Sequence, residues 1–331
     1  MKKFLNIIHI IVLLCAYAPL LNQWITPKVS PYWTSFALAF PIVIGINLFL
    51  ILLWALLSVK RSLIFTFLSI PLMILIKPWF PFWNNPSEQS ADLSLMTYNV
   101  RYFYDDLEGI YNLFHAHQPD IVFLQEMGGG SDELMKRLGE PNPYFFENYN
   151  SLGIASIYPI VESSQIRYDN FPLTAVYGDI AMPHDTIRLI NFYLESLHLD
   201  QEELKKPTIN STDVSEKSKM LITKVAHAAK VHQSQINLIQ DIVRKSPHPV
   251  ILGGDLNAVP TSFEYYKIKE GLIDAFTEVG TQPGNTFRSL KIPLKLDYVF
   301  SSEEIKPVSY DILKVNYSDH YPTFVRFQLP E

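Results

Sequence analysis

The chain has 331 residues, enough for one large domain or two ordinary ones. Its charge is uneven, because the first 85 residues carry six Lys or Arg and no Asp or Glu, so that all 33 acidic residues follow. An acidic C-terminal part repels polyanions, which argues against tight non-specific binding of nucleic acid. The single cysteine, Cys15, excludes an intrachain disulfide and a cysteine-based metal site.

Three long apolar runs occupy the N-terminal region, at about 4–21, 36–59 and 63–82. A membrane-spanning helix needs about 20 such residues, and tryptophans near the ends of the runs are typical of membrane interfaces. The sequence therefore predicts three transmembrane helices within residues 1–83. An alternative interpretation is a signal peptide followed by buried helices, because Lys2 and Lys3 precede the first run.

The positions of Lys and Arg predict the orientation in the membrane. Lys2 and Lys3 and the pair Lys60 and Arg61 flank the ends that we expect in the cytoplasm, whereas the first connecting loop has only Lys28. Three spans that start inside leave the following chain outside. We therefore predict a multi-pass protein of the cell inner membrane with an extracytoplasmic (periplasmic) C-terminal domain.

A polar segment at 84–91 predicts a linker, and strands alternate with helices after it. The predicted strands are 93–98, 121–124, 154–158, 174–177, 187–193, 250–252, 296–300 and 323–329. The predicted helices are 107–117, a second from Ser131 to Gly139, and 219–245, while 276–287 and part of 199–218 are predicted loops. This mixture indicates a domain at 92–331 with an α/β fold, a four-layer α/β/β/α sandwich with two central mixed sheets.

Polar side chains stand at the ends of several predicted strands. They are Asn99, Glu126, Asn191, Tyr193, Asp255, Asn257, Asp297, Asp319 and His320. Loops at the ends of rigid strands commonly carry catalytic groups. Carboxylate and amide oxygens suit Mg²⁺, Mn²⁺ or Ca²⁺, and a metal beside a carboxylate that orients water is what phosphodiester hydrolysis requires.

Five short motifs contain most of these residues, namely Thr97-Tyr98-Asn99-Val100-Arg101, Leu124-Gln125-Glu126, Gly254-Asp255-Leu256-Asn257, Leu296-Asp297-Tyr298 and Ser318-Asp319-His320. In this order, over about residues 92–329, they resemble the signature motifs of the endonuclease/exonuclease/phosphatase family. That family includes deoxyribonucleases, abasic-site endonucleases, neutral sphingomyelinases and inositol polyphosphate phosphatases. With its N-terminal spans, the chain looks like the membrane-tethered bacterial members.

The resemblance implies a role for each matched residue. Glu126 matches the principal metal ligand, and Asn99 matches the amide that helps to hold the metal site and the phosphate. Asp319 matches a further acidic residue beside the metal. Asp255 matches the residue that orients or deprotonates the attacking water, and Asn257 matches its phosphate-contacting neighbour.

The remaining matches concern charge and the leaving group. His320 matches the histidine that stabilises charge on the phosphoryl oxygen, and Asp297 matches the carboxylate that raises its basicity. One motif departs from the family, because Asn191-Phe192-Tyr193-Leu194 stands where many members have Asn-x-His-Leu. Tyr193 could still donate a hydrogen bond to the leaving oxygen. His198 is the less favoured alternative, since its odd offset moves it to the opposite face of a strand.

The leading hypothesis is a membrane-anchored, divalent-metal-dependent phosphoesterase that cleaves a phosphodiester by metal-assisted attack of water. The expected substrates are nucleic acid, a phospholipid headgroup or another small phosphoester. Tyr193 favours the first, while the acidic domain and the membrane tether favour the others. The alternative is a catalytically inactive envelope binding or scaffold protein on the same fold, supported mainly by the missing histidine. The lipid bilayer is the other expected partner, and the motifs indicate no particular protein partner.

Overall fold

The computed structural model describes residues 2–84, 90–138, 144–169, 173–183, 185–197, 211–289 and 294–330. The predicted linker at 84–91 and the predicted loop at 199–218 lie partly outside these ranges. The predicted helix end at Gly139 and the alternative residue His198 lie wholly outside them.

Three N-terminal stretches are helical, and by length and composition they could each cross a membrane: Lys2–Gln23, Ser35–Leu57 and Val59–Ile76. They contain α1 (Lys2–Tyr17), α2 (Ser35–Leu57), α3 (Val59–Ser69) and α4 (Met73–Ile76). Extended backbone at Ser58 separates the second stretch from the third. Large apolar side chains are exposed on their outer faces, including Leu14, Phe49 and Leu56. Such a surface suggests association with a membrane.

Two six-stranded sheets make up the centre of the remaining described chain. The strands are β1 (Leu93–Asn99), β2 (Ile121–Gln125), β3 (Phe145–Asn148), β4 (Leu152–Ser156), β5 (Ile160–Arg167), β6 (Leu173–Ala181), β7 (Thr186–Tyr193), β8 (Val250–Asp255), β9 (Ile273–Asp274), β10 (Asp297–Ser301), β11 (Lys306–Ile312) and β12 (Thr323–Gln328). Sheet I has the order β11-β12-β1-β2-β4-β3, and sheet II has the order β5-β6-β7-β8-β10-β9. Each sheet is mixed, with one parallel pair, β1 with β2 and β7 with β8.

Helices cover the outer faces of both sheets. They are α5 (Leu107–His117), α6 (Ser131–Leu138), α7 (Ser211–Lys245) and α8 (Phe263–Ile268). The short helix α9 (Ala275–Val279) instead packs Ala275 and Phe276 into the core between the sheets. Side chains of α5 and α6 pack on sheet I, and those of α7 and α8 pack on sheet II. Inward side chains of both sheets, such as Phe123 and Ile251, form a core between them. The predicted four-layer α/β/β/α sandwich is therefore confirmed.

Local differences from the predicted elements have identifiable causes. The edge strands β3 and β5 were not predicted, because their mostly exposed residues show no apolar alternation. β4 ends at Ser156, whose hydroxyl accepts from the amide of Tyr158 and so turns the chain earlier than predicted. The predicted loop at 276–287 begins with α9, because Asp274 caps the amides of Phe276 and Thr277.

Among the glycines that the structure describes, Gly254, next to the last residue of β8, has the least room for a side chain. Its φ is +143°, and a Cβ there would lie 2.0 Å from the carbonyl oxygen of Phe192 on the neighbouring strand β7. We expect Gly254→Ala to lower the free energy of unfolding by more than about 3 kcal/mol, the upper range of backbone strain alone. Denaturant unfolding of the detergent-solubilised chain measures this.

The matched control is Gly271→Ala. Gly271 also has a positive φ, +77°, but nothing lies within 4 Å of the added Cβ. Gly271→Ala should lower the free energy of unfolding only by the cost of backbone strain, about 1–3 kcal/mol. Equal losses in the two variants would contradict the argument from strand packing.

Candidate active site

Strand register brings the predicted site residues to one edge of the sandwich. In sheet I, Asn99 at the end of β1 is level with Gln125 at the end of β2. In sheet II, Asp255 at the end of β8 is level with Tyr193 on β7 and with Asp297 at the start of β10. Both sheets therefore present polar side chains at the same edge, as expected for a site built on strand ends.

The side-chain amide of Asn99 links carboxylates from both sheets at this edge. Nδ2 of Asn99 donates to Oε1 of Glu126 and to Oδ2 of Asp255, both at 3.1 Å. The hydroxyl of Tyr193 donates to the same oxygen of Glu126 at 2.9 Å. Burial raises the pKa of Tyr193, and the charge of Glu126 adds to the shift, so the phenol remains a proton donor.

A buried histidine lies between two carboxylates. Nδ1 of His320 lies 2.9 Å from Oδ2 of Asp297, and Nε2 lies 3.7 Å from Oδ2 of Asp255. Burial by itself would lower the pKa of His320, but the carboxylates of Asp297 and Asp255 outweigh it and raise the pKa to about 10. The ring is therefore a cation at neutral pH, and Asp297 is the carboxylate that fixes its orientation.

Asp255 has an environment that suits a proton acceptor. Burial raises the pKa of Asp255, the charge of Asp297 adds to the shift, and the His320 cation opposes it. Oδ1 accepts the backbone amide of Asn257 at 2.8 Å, and the side chain of Asn257 donates to the carbonyl of Leu194 at 3.0 Å. A carboxyl group whose pKa moves towards neutrality is better matched to general-base catalysis than an ordinary one.

The cluster opens into a cavity of about 100 Å³. Its polar lining includes five of the predicted residues: Glu126, Asp255, Asn257, Asp319 and His320. Apolar side chains complete the wall, namely Leu197, Phe287, Leu294 and Leu296. The cavity lining therefore combines charged and apolar side chains.

The donor set fits a hard divalent cation at Glu126 and Asp319. Both carboxylates line the cavity, and carboxylate oxygens are the ligands that Mg²⁺ and Ca²⁺ prefer. Asn99 presents its Nδ2 to Glu126, while its Oδ1 accepts the amide of Arg101 at 3.1 Å, so in this arrangement it supports the metal site through Glu126. Glu126 also has a φ of +50°, and such backbone strain is common at functional sites.

A second group of possible metal ligands consists of Asp255, Asp297 and His320, whose ligand atoms lie within 4.8 Å of one another. Within this group Asp297 orients the ring of His320 through Nδ1 at 2.9 Å, and Asp255 lies 3.7 Å from Nε2, so the three residues also form a charge network.

Asn191 is placed differently from the other predicted site residues. It is fully buried between the sheets, where its Nδ2 donates to the carbonyls of Leu124 and Gly153 and its Oδ1 accepts from Gln125 at 2.6 Å. A catalytic role for Asn191, still a prediction, would therefore be indirect, through the strand that carries Tyr193.

Three supporting residues were missed by sequence reasoning. Gln125 anchors Asn191, Thr286 Oγ1 accepts the amide of Asp297 at 3.1 Å, and the hydroxyl of Ser318 donates to the carbonyl of Asn99 at 2.8 Å. Gln125 and Ser318 lie inside the sequence motifs, so their positions in the sequence could have indicated that they support the site. Thr286 lies in a predicted loop and has no such signal.

Comparison with known proteins agrees with this geometry. The sequence profile described as "Endonuclease/Exonuclease/phosphatase family" matches residues 96–320. The chain belongs to the endonuclease/exonuclease/phosphatase family. Members of this family are hydrolases that act on phosphoesters and use divalent metals. No curated protein matches the sequence.

Solved structures of the endonuclease/exonuclease/phosphatase fold are similar to the catalytic part. D. rerio TDP2 complexed with a single-strand DNA product has a TM-score of 0.53 at 16% identity, covering 71% of this chain and 98% of that chain. Bacteroides thetaiotaomicron mannosyl-6-phosphatase Bt3783 has a TM-score of 0.51 at 16% identity, covering 72% and 100%. An endonuclease/exonuclease/phosphatase family protein from the same organism has a TM-score of 0.53 at 16% identity, covering 73% of this chain and 100% of that chain. These similarities show the shared fold.

The pairing of His320 with Asp297 predicts a pH-dependent stability. The folded pKa of about 10 lies above the ordinary value of 6.5, so the pair stabilises the folded state fully below about pH 6.5, and this contribution is lost as the pH rises through 10. Asp297→Asn removes the main charge partner. The melting temperature is measured in metal-free detergent solution. The wild-type value should exceed that of the variant, and the difference should be largest at about pH 6 and smallest at about pH 10.

The control is Asp311→Asn, which removes an exposed carboxylate 3.7 Å from Arg326. Its difference from wild type should stay small at every pH, since exposed pairs contribute little. A constant difference for Asp297→Asn across the same pH range would contradict the assignment of His320 as a buried cation.

Proposed function

We propose that the chain is a membrane-anchored, divalent-metal-dependent phosphoesterase that hydrolyses a phosphodiester. The observation that carries the proposal is that Glu126, Asp255 and His320 line one cavity, while Asn99 donates hydrogen bonds to both carboxylates. Its groups match the requirements of phosphoester hydrolysis, which are a site for a hard cation, a proton acceptor near water and a positive charge for the phosphoryl oxygens.

Each residue then has a distinct task. Mg²⁺, or alternatively Mn²⁺ or Ca²⁺, held by Glu126 and Asp319 would supply positive charge that offsets the negative charge of the phosphate. Asp255 orients the attacking water and accepts its proton, so that the water oxygen bonds to phosphorus. His320 and Asn257 stabilise the charge that develops on the phosphoryl oxygens.

The leaving oxygen gains negative charge as the old P–O bond breaks, and we assign to Tyr193 the hydrogen bond that stabilises this charge. Its phenol already donates to Glu126 at 2.9 Å and is kept protonated by its surroundings. Tyr193 thus keeps a hydrogen-bond donor at the position where many family members have a histidine. This supports an active enzyme over an inactive scaffold. The relatives described as a DNA-bound TDP2 and a mannosyl-6-phosphatase indicate that nucleic acid and small phosphoesters are both candidate substrates.

We further propose a division of the chain into a membrane part at 1–83, a linker at 84–91 and a catalytic domain at 92–331. The three apolar helical stretches support this division. Arg61 donates to the carbonyl of Lys2, so the two positively charged ends lie together. By the positive-inside rule this end faces the cytoplasm of an inner membrane and the catalytic domain faces the periplasm.

The catalytic assignment predicts the effect of three substitutions. With Mg²⁺ and a generic phosphodiester, Glu126→Gln and Asp255→Asn should each lower kcat by at least about 10³-fold, as expected for loss of a metal ligand or an essential base, and Tyr193→Phe by about 10–100-fold. Steady-state kinetics of the purified full chain measures this. The control is Glu303→Gln, an exposed carboxylate in a turn.

Full activity of Glu126→Gln and Asp255→Asn would reject the catalytic assignment. Absence of hydrolysis in wild type, together with no Mg²⁺ or Mn²⁺ binding by calorimetry, would instead favour the scaffold alternative.

The proposed topology is tested by protease added outside intact spheroplasts. We expect digestion of the catalytic domain without lysis, because the spans place it on the outer side. A cytoplasmic marker protein should stay intact in the same samples. Complete protection of the domain until lysis would reverse the orientation.

A further inference from the structure

The loops that form the active-site wall also rest on the membrane helices. Nδ2 of Asn22 donates to the carbonyl of Thr261 at 2.8 Å, and the hydroxyl of Thr34 donates to Glu264 at 3.3 Å. These two acceptors follow the site residue Asn257 closely in the chain. All four residues, Asn22, Thr34, Thr261 and Glu264, are buried, so the contact excludes water. The spans therefore dock directly on the loop that follows Asp255.

The apolar wall of the cavity belongs to the same contact. Leu294 and Leu296 line the cavity and are also members of one buried cluster with Phe40 and Trp79 of the N-terminal region, and Phe287 packs against that cluster. A second, smaller cavity of about 30 Å³ lies between Thr34 and Leu38 on one side and Leu197, Asn257, Leu294 and Leu296 on the other. One layer of side chains thus separates the catalytic cavity from the start of α2.

All these contacts lie at one end of the spans. Asn22 is near the end of the first apolar stretch, Thr34 directly precedes the second, and Trp79, whose carbonyl accepts from Gly284 at 3.1 Å, follows the third. Exposed aromatic side chains such as Trp24 lie at this end, as interfacial residues do. The phosphates of a bilayer lie in the interfacial layer, about 5–8 Å beyond the hydrocarbon core, and hence at the level of this docking contact.

We infer that the substrate is a phosphoester carried by a membrane lipid, an inference that rests on the proposed function and deepens it. The charged residues of the cavity lining receive the phosphate, while Phe287, Leu294 and Leu296 supply the apolar part of the lining beside it. Nucleic acid is less favoured as the substrate, because the acidic catalytic part repels a polyanion. Water adds to phosphorus as one P–O ester bond breaks, and the proton of water goes to Asp255, which then returns it to the solvent. The leaving oxygen takes a proton from solvent water and leaves as an alcohol.

The first test compares substrates that share the chemistry and differ in delivery. The full chain is reconstituted with Mg²⁺ into vesicles of phosphatidylcholine, phosphatidylethanolamine and phosphatidylglycerol in equal amounts. The comparison substrates are short-chain analogues of the same three lipids that stay monomeric in water, and a single-stranded oligonucleotide. We expect kcat/KM to be at least about tenfold higher for the vesicle lipids than for the short-chain analogues or the oligonucleotide. A difference of this size corresponds to the burial of roughly two CH₂ groups.

The outcomes separate this inference from the proposed function. Equal or faster hydrolysis of the short-chain analogues or the oligonucleotide, with loss of that activity in Glu126→Gln, would overturn the lipid inference and leave the phosphoesterase intact. No Glu126-dependent hydrolysis of any substrate would overturn both.

The second test weakens the docking contact without touching the catalytic residues. Asn22→Leu and, separately, Thr34→Val each remove one polar contact to the site loops. We expect each to lower vesicle-lipid hydrolysis about tenfold while hydrolysis of the short-chain analogues stays unchanged. Asn112→Leu, at an exposed position of α5, is the matched control. Unchanged lipid hydrolysis in both docking variants, or an equal loss for both kinds of substrate, would contradict the inference.

Discussion

The site depends on one side-chain amide that holds two carboxylates from different sheets. Glu126 and Asp255 would repel each other as neighbouring negative charges, yet Nδ2 of Asn99 donates to both at 3.1 Å. The His320 cation, placed by Asp297, supplies the compensating charge on the other side of Asp255. The same contacts that assemble the candidate active site therefore also close the end of the sandwich, and fold and function share one hydrogen-bond network.

The three apolar N-terminal stretches also pack against the loops of the candidate active site. Their buried side chains form one cluster with Val259, Leu294 and Leu296, which follow or precede site residues in the chain. Removing water from these loops strengthens the electrostatic interactions nearby, because the local dielectric falls. The N-terminal helical stretches thus contribute to the wall of the cavity.

Much of this organisation could be predicted from the sequence. The predicted helix at 107–117 coincides with α5, since its apolar residues recur at helical spacing and Asp106 caps its first turn. The edge strands β3 and β5 were missed, because exposed strands carry no strong alternation. Thr286 was missed as well, since a loop residue that supports Asp297 from eleven residues away has no periodic signal.

The sequence by itself determined the apolar runs, the order of the strands and the polar residues at their ends, because apolar periodicity and short motifs are local properties of the chain. Only the tertiary structure decided which polar groups meet. Asn191 and Tyr193 share one face of β7, but the first is hydrogen-bonded deep between the sheets and the second reaches Glu126. Likewise, only folding gave Leu294 and Leu296 their contacts with both the cavity and the spans. Hydrogen-bond partners far apart in the chain are selected by packing, and packing is a property of the whole fold.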